Sequence, residues 1–238
     1  MGGADMIVVG IDTSTPLTSV AIGTEHEIVA RASVAGAARQ ESVTPLLQEL
    51  LRRSDLTLAQ VGGIAVGIGP GLFTGLRVGV ETAKTLAQVA GVPIVGIAGL
   101  DALAHAVRFT PRRIAAVIDA RRGEVFSAIY RPVPGGVVRD GGYEVHTPDR
   151  LVADLVALPG EVLAVGNGAM LYRHELEDIG SRIEFASSIV AHPDAAALVE
   201  LAVPRFLREE HGRSFDVVPM YLRKSDAEIA WDRRARGV

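Results

Sequence analysis

Apolar and polar positions along this chain fall into short runs that alternate between strand and helix patterns. Ile7-Val8-Val9-Gly10-Ile11 is apolar and β-branched, Asp12-Thr13-Ser14-Thr15-Pro16 reads as a turn, and Ser19-Val20-Ala21-Ile22 resumes the strand pattern. A third strand is expected over 27–33. Val43, Leu46, Leu47, Leu50 and Leu51 recur at i, i+3, i+4, i+7 and i+8, one stripe of an amphipathic helix. Ser42 or Thr44 is its expected cap, with Pro45 in the first turn. Ile64 to Ile68 reads as a buried strand, Gly69-Pro70-Gly71 breaks it, and a second helix is predicted over 73–90. A strand over 92–97 and a helix over 101–107 follow. This alternation predicts an α/β fold with a partly parallel sheet.

The pattern then starts again. Ile114 to Ile118 is apolar, Asp119 ends it, Ala120-Arg121-Arg122-Gly123 forms a polar turn, and a strand returns over 124–130. At an offset of 118 − 11 = 107, Ile11-Asp12 matches Ile118-Asp119 and Ala21-Ile22 matches Ala128-Ile129. Such self-similarity predicts an internal duplication; the plainer alternative is two unrelated hairpins. A helix over 148–157, a strand over 162–165, a helix beyond Gly168 and a longer helix over 194–207 complete the regular structure.

Composition narrows the function classes. The chain has 238 residues, 48% hydrophobic and 22% charged, and 24 − 28 gives a net charge of −4, so no basic excess marks it as a nucleic-acid binder overall. Cysteine is absent, which excludes disulfides, thiolate zinc sites and a cysteine nucleophile. The uncharged stretch from Leu56 to Leu76 has the length of a membrane span, but six glycines and Pro70 interrupt it. The first residues lack the basic patch and apolar run of a secretion signal, so a cytoplasmic location is expected, with no membrane association.

Candidate chemistry is sparse. The turn from Gly67 to Gly75 lies between a strand and a helix, a place for an anion, yet it has neither the Walker lysine nor the third glycine of a dinucleotide fingerprint. Asp12 and Asp119 end apolar strands and are candidates to hold Mg²⁺ through water beside a nucleotide at Gly69 and Gly71; the alternative is that each carboxylate caps its own turn. The six histidines supply no i, i+4 pair and no His-Glu-x-x-His, and no Gly-x-Ser-x-Gly elbow marks a nucleophilic serine, so no metal or catalytic residue is assigned. In the second helix, Phe73, Leu76, Val80, Ala83 and Ala87 form a heptad-like seam, with Gly75, Gly79 and Ala83 on an adjacent face. Small residues at that spacing admit close packing, against the chain's own sheet or against a partner helix.

Four segments carry a family resemblance: Ile11-Asp12-Thr13-Ser14; Gly69-Pro70-Gly71-Leu72-Phe73-Thr74-Gly75-Leu76-Arg77-Val78-Gly79; Ile118-Asp119-Ala120-Arg121-Arg122-Gly123-Glu124-Val125; and Tyr221-Leu222-Arg223. Together they resemble the TsaB (YeaZ) family of bacterial tRNA threonylcarbamoyladenosine synthesis. The resemblance implies an actin-like, Hsp70-like ATPase (ASKHA) fold of two ribonuclease-H-like halves, 1–102 and 103–207, with 208–238 packing back on the first. It implies a non-catalytic scaffold that pairs with the catalytic paralogue TsaD, is joined by the ATPase TsaE, forms a homodimer when alone, and meets tRNA only through the complex. ATP or ADP and Mg would belong to that complex, none being required by this chain. The partner interface would comprise Val43, Leu46, Leu47, Leu50, Phe73, Leu76, Arg77, Gly79, Val80, Ala83, Ala87, Tyr221, Leu222 and Arg223. The rival reading is a stand-alone Mg-ATP-binding ATPase of the same fold. Older glycoprotease naming of relatives sits badly with the missing histidine pair. Two departures weaken a nucleotide role: Arg39-Gln40-Glu41-Ser42 before the first helix, and Leu72 where the family usually has serine.

Overall fold

The computed structural model describes residues 5–36, 42–212 and 214–223. Gln40, Glu41 and the basic tail lie outside them. The first apolar runs become β1 (Ile7–Asp12), β2 (Leu17–Gly23) and β3 (Ile28–Ala35), followed by α1 (Val43–Arg53), β4 (Val61–Gly69), α2 (Phe73–Ala90), β5 (Ile94–Ala98) and α3 (Gly99–Ala106). The second series is β6 (Arg113–Arg121), β7 (Glu124–Val133), β8 (Gly136–His146), α4 (Pro148–Ala157), β9 (Val162–Val165), α5 (Asn167–Leu171), α6 (Arg173–Leu176), β10 (Ile183–Phe185) and α7 (Ala195–Leu207).

Two five-stranded sheets result, ordered β3-β2-β1-β4-β5 and β8-β7-β6-β9-β10. In each, the first three strands form an antiparallel meander and the last two add in parallel. Identical strand order and direction in both sheets, found at the spacing the sequence repeats, is the topology of a duplicated unit. Two mixed sheets with helices on their faces make an α/β, actin-like two-lobed fold.

Helix placement is reciprocal. On the outer face of the first sheet, Val43, Leu47, Leu50 and Leu51 of α1 and Val80, Ala83 and Ala87 of α2 pack with Val9, Ile11, Val20, Ile22, Ile64 and Val66. On its inner face lies α7, whose Leu198, Val199, Ala202 and Phe206 meet Val8, Ala21, Ala65 and Val95. The second sheet is covered inside by Leu100, Leu103 and Ala104 of α3 and outside by Leu151 and Leu155 of α4. Each half therefore sends its last helix onto the other half's sheet. A boundary at 102/103 cuts through α3, and residues 195–207, expected in the second half, complete the first half's core. Between the sheets α3 and α7 meet through His105 Nε2 and Glu200 Oε2 at 2.7 Å, with Arg108 3.2 Å from the same oxygen.

The closing segment ties the halves together. Gly212 bridges to Ile94, Val217 enters the first core, and the Met220 N–H donates to Ile68 O at 2.7 Å. Leu222 then packs on the second core, and Arg223 Nη1 donates to Glu124 Oε2 at 2.8 Å.

Candidate functional site

The signature segments converge on the carboxyl ends of β1 and β6. At the end of β1, Asp12 is fully buried; its Oδ1 accepts from the Ser14 N–H (3.0 Å) and the Ser14 hydroxyl (2.8 Å). Its Oδ2 is buried with no hydrogen-bond partner and lies against Gly67, where an added Cβ would sit only 1.8 Å from it. Burial pushes the Asp12 carboxyl up to about 7, opposed by the two Ser14 bonds, while the Asp194 charge adds to the rise.

The glycine turn closes over this carboxylate. The Leu72 N–H donates to Ser14 O at 2.7 Å, and a Cβ on Gly71 would meet that same oxygen at 2.1 Å. Thr13 Oγ1 donates to Gly75 O at 2.7 Å, and Cβ atoms on Gly75 and Gly79 would strike Thr13 O and Thr13 Oγ1, each at 2.1 Å. The small-residue stripe of α2 thus serves close approach to the chain's own β1–β2 turn. Gly69 is bracketed by Leu76 and Met220 O. Backbone therefore lies directly on this turn, Gly67 against the Asp12 carboxylate and Gly71 against Ser14 O. A cavity of about 470 Å³ is lined by Leu17, Arg31, His192 and Asp194 among others, and Asp12 is not part of its wall. Fully buried, Asp12 presents no exposed carboxylate oxygen to a Mg-nucleotide in this structure.

Asp119, the duplicate of Asp12, caps its own turn: its Oδ1 accepts from the Arg121 N–H at 2.8 Å. Its own N–H donates to Asn167 Oδ1 at 3.2 Å, and Arg121 Nη1 lies 3.4 Å from its Oδ2. Both aspartates bind the N–H two residues on, so the turn-capping alternative describes them. The β6–β7 turn is exposed and left-handed, with φ of +64° at Arg121, +59° at Arg122 and +76° at Gly123. For a residue with a Cβ this conformation costs about 1 kcal/mol or more each.

The expected partner surface divides in two. Val43, Leu47, Leu50, Leu76, Gly79, Val80, Ala83 and Ala87 are buried within the chain itself, so they are not a contact surface. The physical reason is that both stripes cover one face of the first sheet, which their apolar spacing fits as well as it fits a partner helix. Leu46 and Phe73 are half-buried and Arg77 is exposed. The Phe73 ring stands 5.0 Å from the Tyr221 ring, the Arg77 guanidinium lies 4.1 Å over Phe73, and Arg77 Nε donates to the Tyr221 hydroxyl at 3.2 Å. An aromatic–arginine ridge thereby stands on the N-terminal turns of α2, with Leu222 and Arg223 running inward from it.

A model of the TsaD family, tRNA N6-adenosine threonylcarbamoyltransferase, matches residues 32–231. The Bacillus subtilis tRNA threonylcarbamoyladenosine biosynthesis protein TsaB is 30% identical over 95% of this chain and 98% of its own length. The chain belongs to the TsaB/YeaZ family. A Pseudomonas aeruginosa structure, an uncharacterized protein with similarity to peptidase YEAZ, superposes with a TM-score of 0.78 at 28% identity, over 92% of this chain and 100% of that one. The Thermus thermophilus ROK hexokinase shares the fold, with a TM-score of 0.53 at 14% identity, over 83% of this chain and 100% of that one.

One arrangement in this TsaB/YeaZ-family chain escaped the sequence. Ser127 Oγ lies 2.7 Å from His146 Nε2, and His146 Nδ1 lies 3.6 Å from Asp154 Oδ2, the connectivity of a hydrolytic triad. Burial holds the His146 imidazole below its ordinary pKa. Ser127 is only 2% exposed, on the strand face that carries Val125 and Ile129 beneath α4. No substrate carbonyl reaches it, and the three groups tie β7, β8 and α4 together. Among the described residues, no group of three acidic, histidine or cysteine side chains gathers to hold a metal, and no helix is long and apolar enough to cross a membrane.

Proposed function

We propose that this chain works in tRNA threonylcarbamoyladenosine biosynthesis as the non-catalytic scaffold of a TsaD-type transferase. The observation that carries the reading is the aromatic–arginine ridge of Phe73, Arg77 and Tyr221, which offers a half-buried ring, an exposed ring and a guanidinium of the kind enriched at protein interfaces. The outward side of α2 around Arg77, and not the buried seam, docks the catalytic partner; the same ridge accounts for a homodimer in the partner's absence. TsaE joins the pair, and ATP or ADP with Mg belongs to the assembled complex. The sealed Asp12 supports that division over a stand-alone ATPase.

Light scattering on a sizing column, with the chain alone and mixed with TsaD of the same genome, tests the reading. A one-to-one complex is expected for the wild type. The double variant Arg77→Glu, Tyr221→Asp should fold normally and bind at least tenfold more weakly, a loss of about 1.4 kcal/mol or more. Undiminished binding by that variant would overturn the assignment of the ridge.

A further inference from the structure

The closing segment, residues 217–223, joins the two halves and also supplies one side chain of the docking ridge. Val217 enters the first core, and the Met220 N–H donates to Ile68 O at 2.7 Å, near the carboxyl end of β4. Tyr221 follows, its ring 5.0 Å from that of Phe73 and its hydroxyl accepting from Arg77 Nε at 3.2 Å. The next two residues cross to the other half. Leu222 packs on the second core, and Arg223 Nη1 donates at 2.8 Å to Oε2 of Glu124, the first residue of β7. Phe73 and Arg77 are therefore fixed by α2, whereas Tyr221 is held from two sides: by the ridge itself and by a latch on the second half.

The latch is weak by construction. Among the described residues, the bond from Met220 to Ile68 is the one backbone hydrogen bond that this segment makes. Leu222 is only half-buried, and the Arg223–Glu124 pair keeps partial contact with water, where an ion pair contributes little. A segment held by so few bonds opens locally at far lower free energy than the sheets beneath it. The His105–Glu200–Arg108 link between α3 and α7 shares no residue with the latch, so one can break while the other holds. We propose that the ridge is a conditional docking surface: Leu222 and Arg223, latched to the second core and to Glu124, keep Tyr221 against Phe73 and Arg77, and release of the latch takes the ridge apart. The proposal rests on the scaffold reading above and adds regulation to it. A partner seated on the assembled ridge binds the latched state better and so favours it. By reciprocity, any rearrangement of the halves that parts Arg223 from Glu124 weakens docking.

Glu124→Lys tests the latch from the half that carries no ridge residue. Hydrogen exchange of the Met220 amide, followed by NMR on the full chain alone, reports opening of the segment on the first half. Exchange roughly fivefold faster than in the wild type is expected, with the melting temperature unchanged. TsaD should bind roughly threefold more weakly, as it does when the competent state is only partly populated. Leu222→Ala, acting on the apolar side of the latch, should move Met220 exchange in the same direction. Adding Glu124→Lys to the Arg77→Glu, Tyr221→Asp variant should cause no further loss of TsaD binding, because the ridge is already gone. Met220 exchange unchanged in both latch variants would overturn the proposal. So would a Glu124→Lys penalty of the same size with and without the ridge residues, which would make Glu124 a direct contact for the partner. A wild-type chain that forms no TsaD complex would sink the scaffold reading instead, and Met220 exchange on the chain alone still decides whether the second half holds the segment.

Discussion

The two turns that follow Asp12 and Asp119 begin alike and end in different environments. In the first half, α2 lies over the turn, glycines at 71, 75 and 79 let it approach, and Asp12 is left with one oxygen unpartnered. In the second half α5 reaches Asp119 through Asn167, Arg121 is the other partner, and residues 121–123 stay exposed, with no described atom within 4 Å of a Cβ placed on Gly123. A duplicated unit thus buries one copy of the turn under α2 and leaves the other copy at the surface. What distinguishes them is how far the neighbouring helix reaches over the turn, and not the strand-end carboxylate they share.

Breaking the first turn should have the largest effect. Gly79→Arg drives a charged side chain into Thr13 and should abolish cooperative unfolding in denaturant, which makes it a test of the fold and not of any interface. The milder Gly75→Ala should cost about 3 kcal/mol, whereas Gly123→Ala, limited only by its positive φ, should cost about 1 kcal/mol. Equal losses at the two glycines would erase the distinction between the turns.

A pH series sharpens the comparison next. Asp12 keeps its proton to about pH 7 in the folded chain but releases it near 3.8 when unfolded. Between those values the folded state holds more protons, so stability falls as pH rises from about 4 to about 7 and is level above that. The span is on the order of a few kcal/mol. Thermal melts of Asp12→Asn should lose this component, while a variant with the wild-type slope would show that the carboxyl is not desolvated. The smallest effect concerns the second turn: Arg122→Gly relieves a left-handed residue and should stabilise by about 0.5–1 kcal/mol in urea.

Much of the architecture was legible because each element announces itself locally. The limits of α2 and α4 follow from their apolar stripes and from Gly91 and Pro148 at their ends, and the repeated strand-Asp-turn unit exposed the duplication. β8 was missed because it is an edge strand with Gly136, Gly141 and Gly142 and no clean alternation. β10, three residues long, carries too little pattern. The seam on α1 and α2 was read for its apolarity but not for its direction, since the same spacing suits a sheet below or a partner above. Ser127, His146 and Asp154 come together only through pairing of β7 with β8 and the fold of α4, so no local spacing reveals them.

The exchange of α3 and α7 between the sheets bears on how the protein is made. As the chain leaves the ribosome, β1 to β5 and both outer helices are complete well before α7, which supplies the other side of their core. The first half is therefore exposed along Val8, Ala21, Ala65 and Val95 until α7 has been synthesised. Folding from the N-terminus, domain by domain, the usual course for multidomain chains, is inverted here: the second half has α3 in hand when β10 is made, whereas the first must wait for α7.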